Sequence, residues 1–145
     1  MGGASMGLSE GEMQNIVNAW RAANPKIAGR SYKGEAPGLW EQLETAALQC
    51  IRTKREQHTV RGMSFRIEKG MMLLRLPCGR DLFYCKPHIV QGDFGDQAGF
   101  LGRDQKTGHG GPQTSYGGRW TENVTQAASR DILYDTLRRV RAIPV

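Results

Sequence analysis

Residues 64–76 read SFRIEKGMMLLRL, and this stretch decides the fold class. Ser64 to Glu68 alternates apolar and polar residues, the period of a strand with one buried face. Lys69-Gly70 can reverse the chain, because glycine tolerates the positive φ of a tight hairpin turn. Met71 to Leu76 then supplies a second strand, so the stretch reads as a β-hairpin. Pro77-Cys78-Gly79-Arg80 turns the chain again, and Leu82 and Tyr84 resume the alternation. Pro87 is expected to break that strand, since proline has no N–H to give a ladder. A further short strand is expected near Gly99 to Gly102, and 104–115 (DQKTGHGGPQTS) reads as a polar, Gly-rich loop.

Both flanks of this β region carry helical periods. Upstream, Ser9-Glu10-Gly11-Glu12 is a capping box, and Met13, Ile16, Val17 and Trp20 follow on one face. Asn24-Pro25 ends that helix, and 27–38 reads as a Gly-rich basic loop. Pro37 suits the start of a second helix. Leu39, Leu43, Ala46 and Cys50 line one side of it, with Trp40, Ala47 and Ile51 beside them. Its charged end, RTKREQH, reads as solvated. Downstream, Tyr116 opens a third helix with Thr114 and Ser115 as candidate caps. Val124, Ala128 and Ile132 form its expected inward line, and Leu133 and Leu137 are expected to enter a core further on. The predicted fold is α+β: two N-terminal helices, a small antiparallel sheet and a C-terminal helix.

That last helix carries an unusual polar stripe. Arg119, Asn123, Gln126 and Arg130 recur at spacings of 4, 3 and 4, so they share a face. Amides and guanidinium groups are side chains suited to touching nucleic acid. Composition agrees. The chain has 145 residues, with Lys plus Arg 20 against Asp plus Glu 14, a net charge of +6 that favours an anionic partner. Most of the basic residues are arginines, whose planar fork matches phosphates and base edges. A solvated basic surface would give the same totals, so charge alone decides nothing. No apolar run is long enough to span a membrane, and no secretory pattern is present. Cys50, Cys78 and Cys85 lack a disulfide framework and read as reduced thiols of a cytoplasmic protein.

Other constellations point elsewhere only weakly. Cys78, Cys85 and His88 are spaced C-x6-C-x2-H, without the paired knuckles of a structural zinc site. A fourth ligand would have to come from Cys50, His58 or His109. No base or oxyanion hole is positioned for a cysteine nucleophile with His88 or His109. Asp93 and Asp96 in DFGD sit among glycines, which favours a loop tip. His109-Gly110-Gly111-Pro112 lacks the strand-to-helix setting of a phosphate cradle.

Three collinear segments resemble the phage-type family A DNA polymerases. Tyr116-Gly117-Gly118-Arg119, Glu122-Asn123-Val124, Gln126-Ala127 and Ser129-Arg130-Asp131-Ile132-Leu133 are similar to the family pattern T-Y-G-G-K, E-N-x-x-Q-A, R-D-x-L. Met6-Gly7-Leu8-Ser9-Glu10 through Val17, then Trp20-Arg21-Ala22-Ala23-Asn24-Pro25, resembles the segment after the nucleotide-binding fingers helix. Leu76-Pro77-Cys78-Gly79-Arg80, with Tyr84 and Pro87, resembles its L-P-S-G-R strand and turn. Cys78 stands where the family usually has Ser, Arg119 where it has Lys, and Gly29–Gly38 looks inserted.

The resemblance implies an interior fingers and palm piece. As one partial domain over 1–145, it divides into a flexible start 1–8, a helical part 9–58, a β-rich part 59–115 and a helix 116–142. It implies that Gln126 touches the minor groove of a double-stranded primer–template near the growing end, with Asn123 and Arg119 on the same face. Arg130 is assigned equally to DNA or to an internal Asp or helix carbonyl. Magnesium is expected only for a complete polymerase, whose two metal-holding carboxylates have no match here. The chain alone is therefore expected to be inactive and to hold no catalytic residue, metal or cofactor. Expected partners are DNA, the remaining polymerase segments or a second copy, with no membrane. The alternative is an independent phage- or prophage-encoded DNA- or protein-binding module, such as a split-polymerase subunit or an inhibitor.

Overall fold

The 64–76 stretch forms the hairpin that its pattern predicts. In a computed structural model that describes residues 7–31, 36–93, 95–103 and 108–142, strands β2 (Ser64–Glu68) and β3 (Met71–Arg75) pair antiparallel, with Phe65 opposite Leu74 and Ile67 opposite Met72. Lys69 and Gly70 both take positive φ, 48° and 77°, the two-residue turn whose twist matches that of the strands. The first six residues, the centre of the Gly29–Gly38 insertion, Phe94, residues 104–107 and the last three residues lie outside the described residues.

The hairpin is the centre of a six-stranded antiparallel meander, ordered β1 to β6 as in the chain. The remaining strands are β1 (Gln57–His58), β4 (Asp81–Gly92), β5 (Gly95–Arg103) and β6 (Gly110–Ser115). Four helices complete the α+β fold: α1 (Glu10–Ala23), α2 (Pro25–Ala28), α3 (Leu39–Thr53) and α4 (Gly117–Arg141). The α1 capping box is formed, with Ser9 and Glu12 bonded to each other's backbone N–H.

Four expectations are corrected. First, β4 does not stop at Pro87. The register shifts between Cys85 and His88, so a bulge takes the proline out of the ladder and its missing N–H costs nothing. Second, 110–115 is not loop but the edge strand β6, paired with β5 along its length. The Gly and Pro that suggested a loop are tolerated at a sheet edge. Third, Pro25–Ala28, read as a helix end and loop, makes a short helix, and Gln57–His58, read as the charged end of the second helix, instead pairs as a strand with Phe65 and Ser64. Fourth, Tyr116 is the N-cap of α4, no side chain caps the helix, and Ser115 is buried in β6.

The core lies between the sheet and the pair α3 and α4. Leu43, Ala47 and Cys50 of α3 are fully buried against Phe65, Met72 and Leu74 of the sheet. Trp120 of α4 is fully buried and meets Phe65 and Tyr84 edge-on, at ring-centroid distances of 5.3 Å and 4.8 Å. Gly117 lets the two helices touch, because a Cβ there would lie 2.4 Å from the Trp40 carbonyl oxygen. On the opposite face of the sheet, Asp81 accepts four hydrogen bonds from Arg66 and Arg75. The Arg66 guanidinium foremost holds the Asp81 carboxyl well below the usual carboxylate range.

The expected inward line of α4 is also corrected. Gly117, Trp120 and Val124 are the buried residues of the helix, Ala128 is half-buried and Ile132 is 69% exposed. Leu133 and Leu137 do not enter a core; each is 59% exposed. The reason is length: α4 has 25 residues and α3 has 15, or about 37 Å against about 22 Å at the helical rise. The second half of α4 outruns its support. At the other end of the chain, α1 buries no residue, and its half-exposed Trp20 ring meets the Trp40 ring, 5.9 Å away.

Candidate nucleic-acid interface

The polar stripe of α4 lies along a groove between that helix and strands β4 to β6. Two adjoining hollows form it, about 340 Å³ and about 200 Å³, and both are bordered by Tyr84 and Asn123. Gln126 and Arg130 line the first and Arg119 lines the second. The four residues expected from spacing are thus brought to one groove. Arg80 and Arg103 join them from the sheet side. The lining holds four arginines and one carboxylate, Glu122, a net positive balance that suits phosphates.

The tertiary structure assigns each polar group a partner or leaves it open. Asn123 donates from Nδ2 to the Tyr84 hydroxyl at 3.1 Å. Tyr84 arrives from β4 and is held by its contacts with Trp120 and Phe100. Burial pushes its phenol up to about 12, with the Asn123 hydrogen bond opposing. Accepting from Asn123 leaves the Tyr84 O–H proton available as a donor at the junction of the hollows. Arg119 donates to the Thr114 carbonyl at 2.6 Å, which ties α4 to β6. Gln126 donates to Glu122, one turn back, at 3.1 Å. That exposed pair exchanges readily for another acceptor.

Arg130 was open between DNA and an internal role, and the internal role belongs to Arg80. Its Nε donates to Asp131 at 2.9 Å and its Nη2 to the Ala127 carbonyl at 3.2 Å. The Cys78 thiol donates to the other Asp131 oxygen at 3.0 Å. These bonds, the Cys78 contact foremost, lower the Asp131 pKa. The turn at 77–80 is clasped onto α4, so two of the three collinear segments dock on one another. Arg130 is exposed and, among the described residues, makes no hydrogen bond or ion pair. Tyr84, Arg80 and Arg103 were not assigned to the site from sequence. Only the following of Leu76–Arg80 by Tyr84 hinted at a shared role.

The other constellations separate in space. Among the described residues no three His, Cys, Asp or Glu side chains gather as a metal site requires, so Cys78, Cys85 and His88 do not converge. Asp96 sits at the β4–β5 hairpin and pairs with Arg52. Among the described residues no helix is long and apolar enough to cross a membrane.

No family model and no solved structure matches the chain. Among curated proteins, a DNA polymerase of Bacillus phage SP02 is 36% identical over 141 residues, which is 97% of this chain and 20% of that polymerase. The chain therefore spans about a fifth of the length of the relative it matches.

Proposed function

We propose that the chain is a segment of a phage-type, family A DNA polymerase, formed from parts of the fingers and palm. In this reading its groove grips the primer–template duplex near the growing end. The observation that carries the reading is the groove itself, which Asn123, Gln126 and Tyr84 line together with four arginines. A polymerase must hold any correctly paired duplex, and the minor groove presents nearly the same acceptors for every pair. Amide and hydroxyl donors meet those acceptors without choosing a sequence. The arginines meet the phosphates on either side. The similarity to a phage DNA polymerase over 97% of the chain supports the same reading.

The reading assigns the carboxylates that hold catalytic magnesium to other parts of the polymerase. Two metal ions would there stabilise the attacking and leaving oxygens. This chain contributes grip and position. Two measurements test it. Fluorescence anisotropy with a blunt DNA duplex should show binding that weakens as salt rises. Gln126→Ala and Arg119→Ala should each weaken it about fivefold, or about 1 kcal/mol. Unchanged binding in both variants would return the stripe to plain solvated surface. Primer extension with magnesium should give no product from the chain alone, and measurable extension would overturn the division of labour.

A further inference from the structure

The sheet has two faces, and the core uses one of them. Met72, Leu74 and Tyr84 are buried on the core face. Side chains alternate along a strand, so Met71, Leu73, Phe83 and Cys85 belong to the opposite face. The pairing register aligns them. Met71 stands opposite Cys85, Cys85 opposite Leu101, and Leu101 opposite Pro112, an apolar row that crosses β3 to β6. Leu73 and Phe83 pair with each other two residues along. Phe83 is 62% exposed and Leu101 40% exposed, so this row lacks the cover that α3 and α4 give the other face.

Cations border the patch on two sides. Lys69 and Lys86 are exposed. The Lys86 N–H donates to the Gly70 carbonyl at 3.2 Å, which brings the two lysines' turns together beside Met71 and Cys85. Among the described residues neither lysine pairs with a carboxylate. Arg103, two residues beyond Leu101, donates to the neutral Gly108 carbonyl at 2.6 Å and keeps its charge. The carboxylates of this face are already engaged, Asp81 by Arg66 and Arg75 and Glu68 by Arg66. The charge left to meet a partner is therefore positive.

Size and charge choose the occupant. The patch measures about 14 Å across the strands and about 7 Å along them, from the strand spacing and rise. A stable dimer needs about 800 Å² from each copy, and a second copy would set the same cations against these. Single-stranded nucleic acid stacks its bases on successive rings, and Phe83 is the single ring of a patch otherwise made of Met, Leu, Cys and Pro. A short segment with a few aliphatic side chains and carboxylates beside them matches both the row and its border.

We propose that this face docks a short, acidic and apolar segment of a partner protein. The surface does not depend on the duplex reading. Phe83 also borders the duplex groove, whereas Met71 and Leu101 stand outside it, so the test is placed on those two.

The probe is a fluorescein-labelled synthetic peptide that alternates leucine and glutamate, followed by anisotropy. It should bind with a dissociation constant below about 1 mM, and more weakly as salt rises. Met71→Ser and Leu101→Ser should each weaken it about fivefold and leave blunt-duplex binding unchanged. In a Cys78→Ser background the peptide should slow alkylation of Cys85 by iodoacetamide, since Cys50 is buried. Three results would each overturn the proposal: no binding at that concentration, equal binding by a peptide with lysine in place of glutamate, or binding that survives both substitutions and leaves Cys85 equally reactive. Binding of oligo-dT or of phosphatidylserine vesicles that is lost in Leu101→Ser, while the acidic peptide fails to bind, would also overturn it. Self-association in sedimentation velocity that is lost in Leu101→Asp would assign the face to a second copy instead. Peptide binding that behaves as expected in a chain that binds no blunt duplex would uphold this surface and sink the duplex reading.

Discussion

Replacing Tyr84 with Phe tests how the site is built, and its effect should reverse with pH. Tyr84 is 7% exposed, and its hydroxyl accepts one hydrogen bond, from Asn123 at 3.1 Å. Phe keeps the ring and its edge-on contact with Trp120 at 4.8 Å, so no cavity opens. Near pH 7 the loss is one neutral hydrogen bond, about 1 kcal/mol, and a melting temperature lower by about 3–4 °C for a chain of this size. At alkaline pH a second term enters. The folded phenol titrates at about 12 because burial disfavours the phenolate, whereas the unfolded one titrates at about 10. Between those values the unfolded state holds fewer protons than the folded state, so stability falls as pH rises. For this group the loss is roughly 1 kcal/mol by pH 11 and roughly 2 kcal/mol by pH 12. Tyr84→Phe escapes that loss. The stability curves of the two proteins should therefore cross near pH 11, with the wild type more stable below the crossing and the variant above it. Tyr116 and Tyr134 are exposed and common to both, so they cancel in the difference. Urea unfolding followed by circular dichroism from pH 7 to 11.5 reads the crossing. Parallel curves across that range would refute a buried, neutral Tyr84 at the junction of the two hollows.

Three further outcomes are expected. Asp81 and Asp131 both have lowered pKa values, so the stability they contribute is present above about pH 4 and is lost as pH falls through their folded values; Asp81→Asn should flatten the acid limb of a urea-midpoint profile between pH 5 and 2, and an unchanged limb would count against the Arg66–Asp81–Arg75 cluster. Trp120→Ala should cost about 3–5 kcal/mol as a large core truncation, whereas Trp120→Phe should cost about 1 kcal/mol or less, because the indole N–H is buried without a partner among the described residues and its removal offsets the lost volume; equal losses in calorimetry would mean that the N–H is bonded. Leu133→Lys with Leu137→Lys, on the exposed end of α4, should change stability by no more than about 0.5 kcal/mol while reducing self-association in sedimentation velocity, since Ile132, Leu133, Tyr134, Leu137 and Val140 leave an open apolar surface; an unchanged sedimentation profile would discount that surface.

The sequence by itself determined the local elements and one face of the site. The Ser9 capping box, the core side of α3 and the Lys69-Gly70 hairpin were legible because each depends on residues within a few positions of one another. The spacing of Arg119, Asn123, Gln126 and Arg130 was legible for the same reason, since the helical period alone puts them on one face. Only tertiary structure decided what that face looks onto. Tyr84 stands 39 positions from the Asn123 that it meets, and Arg80 stands 51 from the Asp131 that it clasps. Nothing in either residue's neighbours announces the distant partner. The same limit explains the corrections. Residues 110–115 are a strand because β5 offers an open edge, and Pro87 stays in β4 because a bulge removes the need for its N–H. Ile132 and Leu137 are exposed because the body beneath α4 ends before the helix does. Apolar residues mark where burial is favourable, and the length of the supporting layer decides whether it happens.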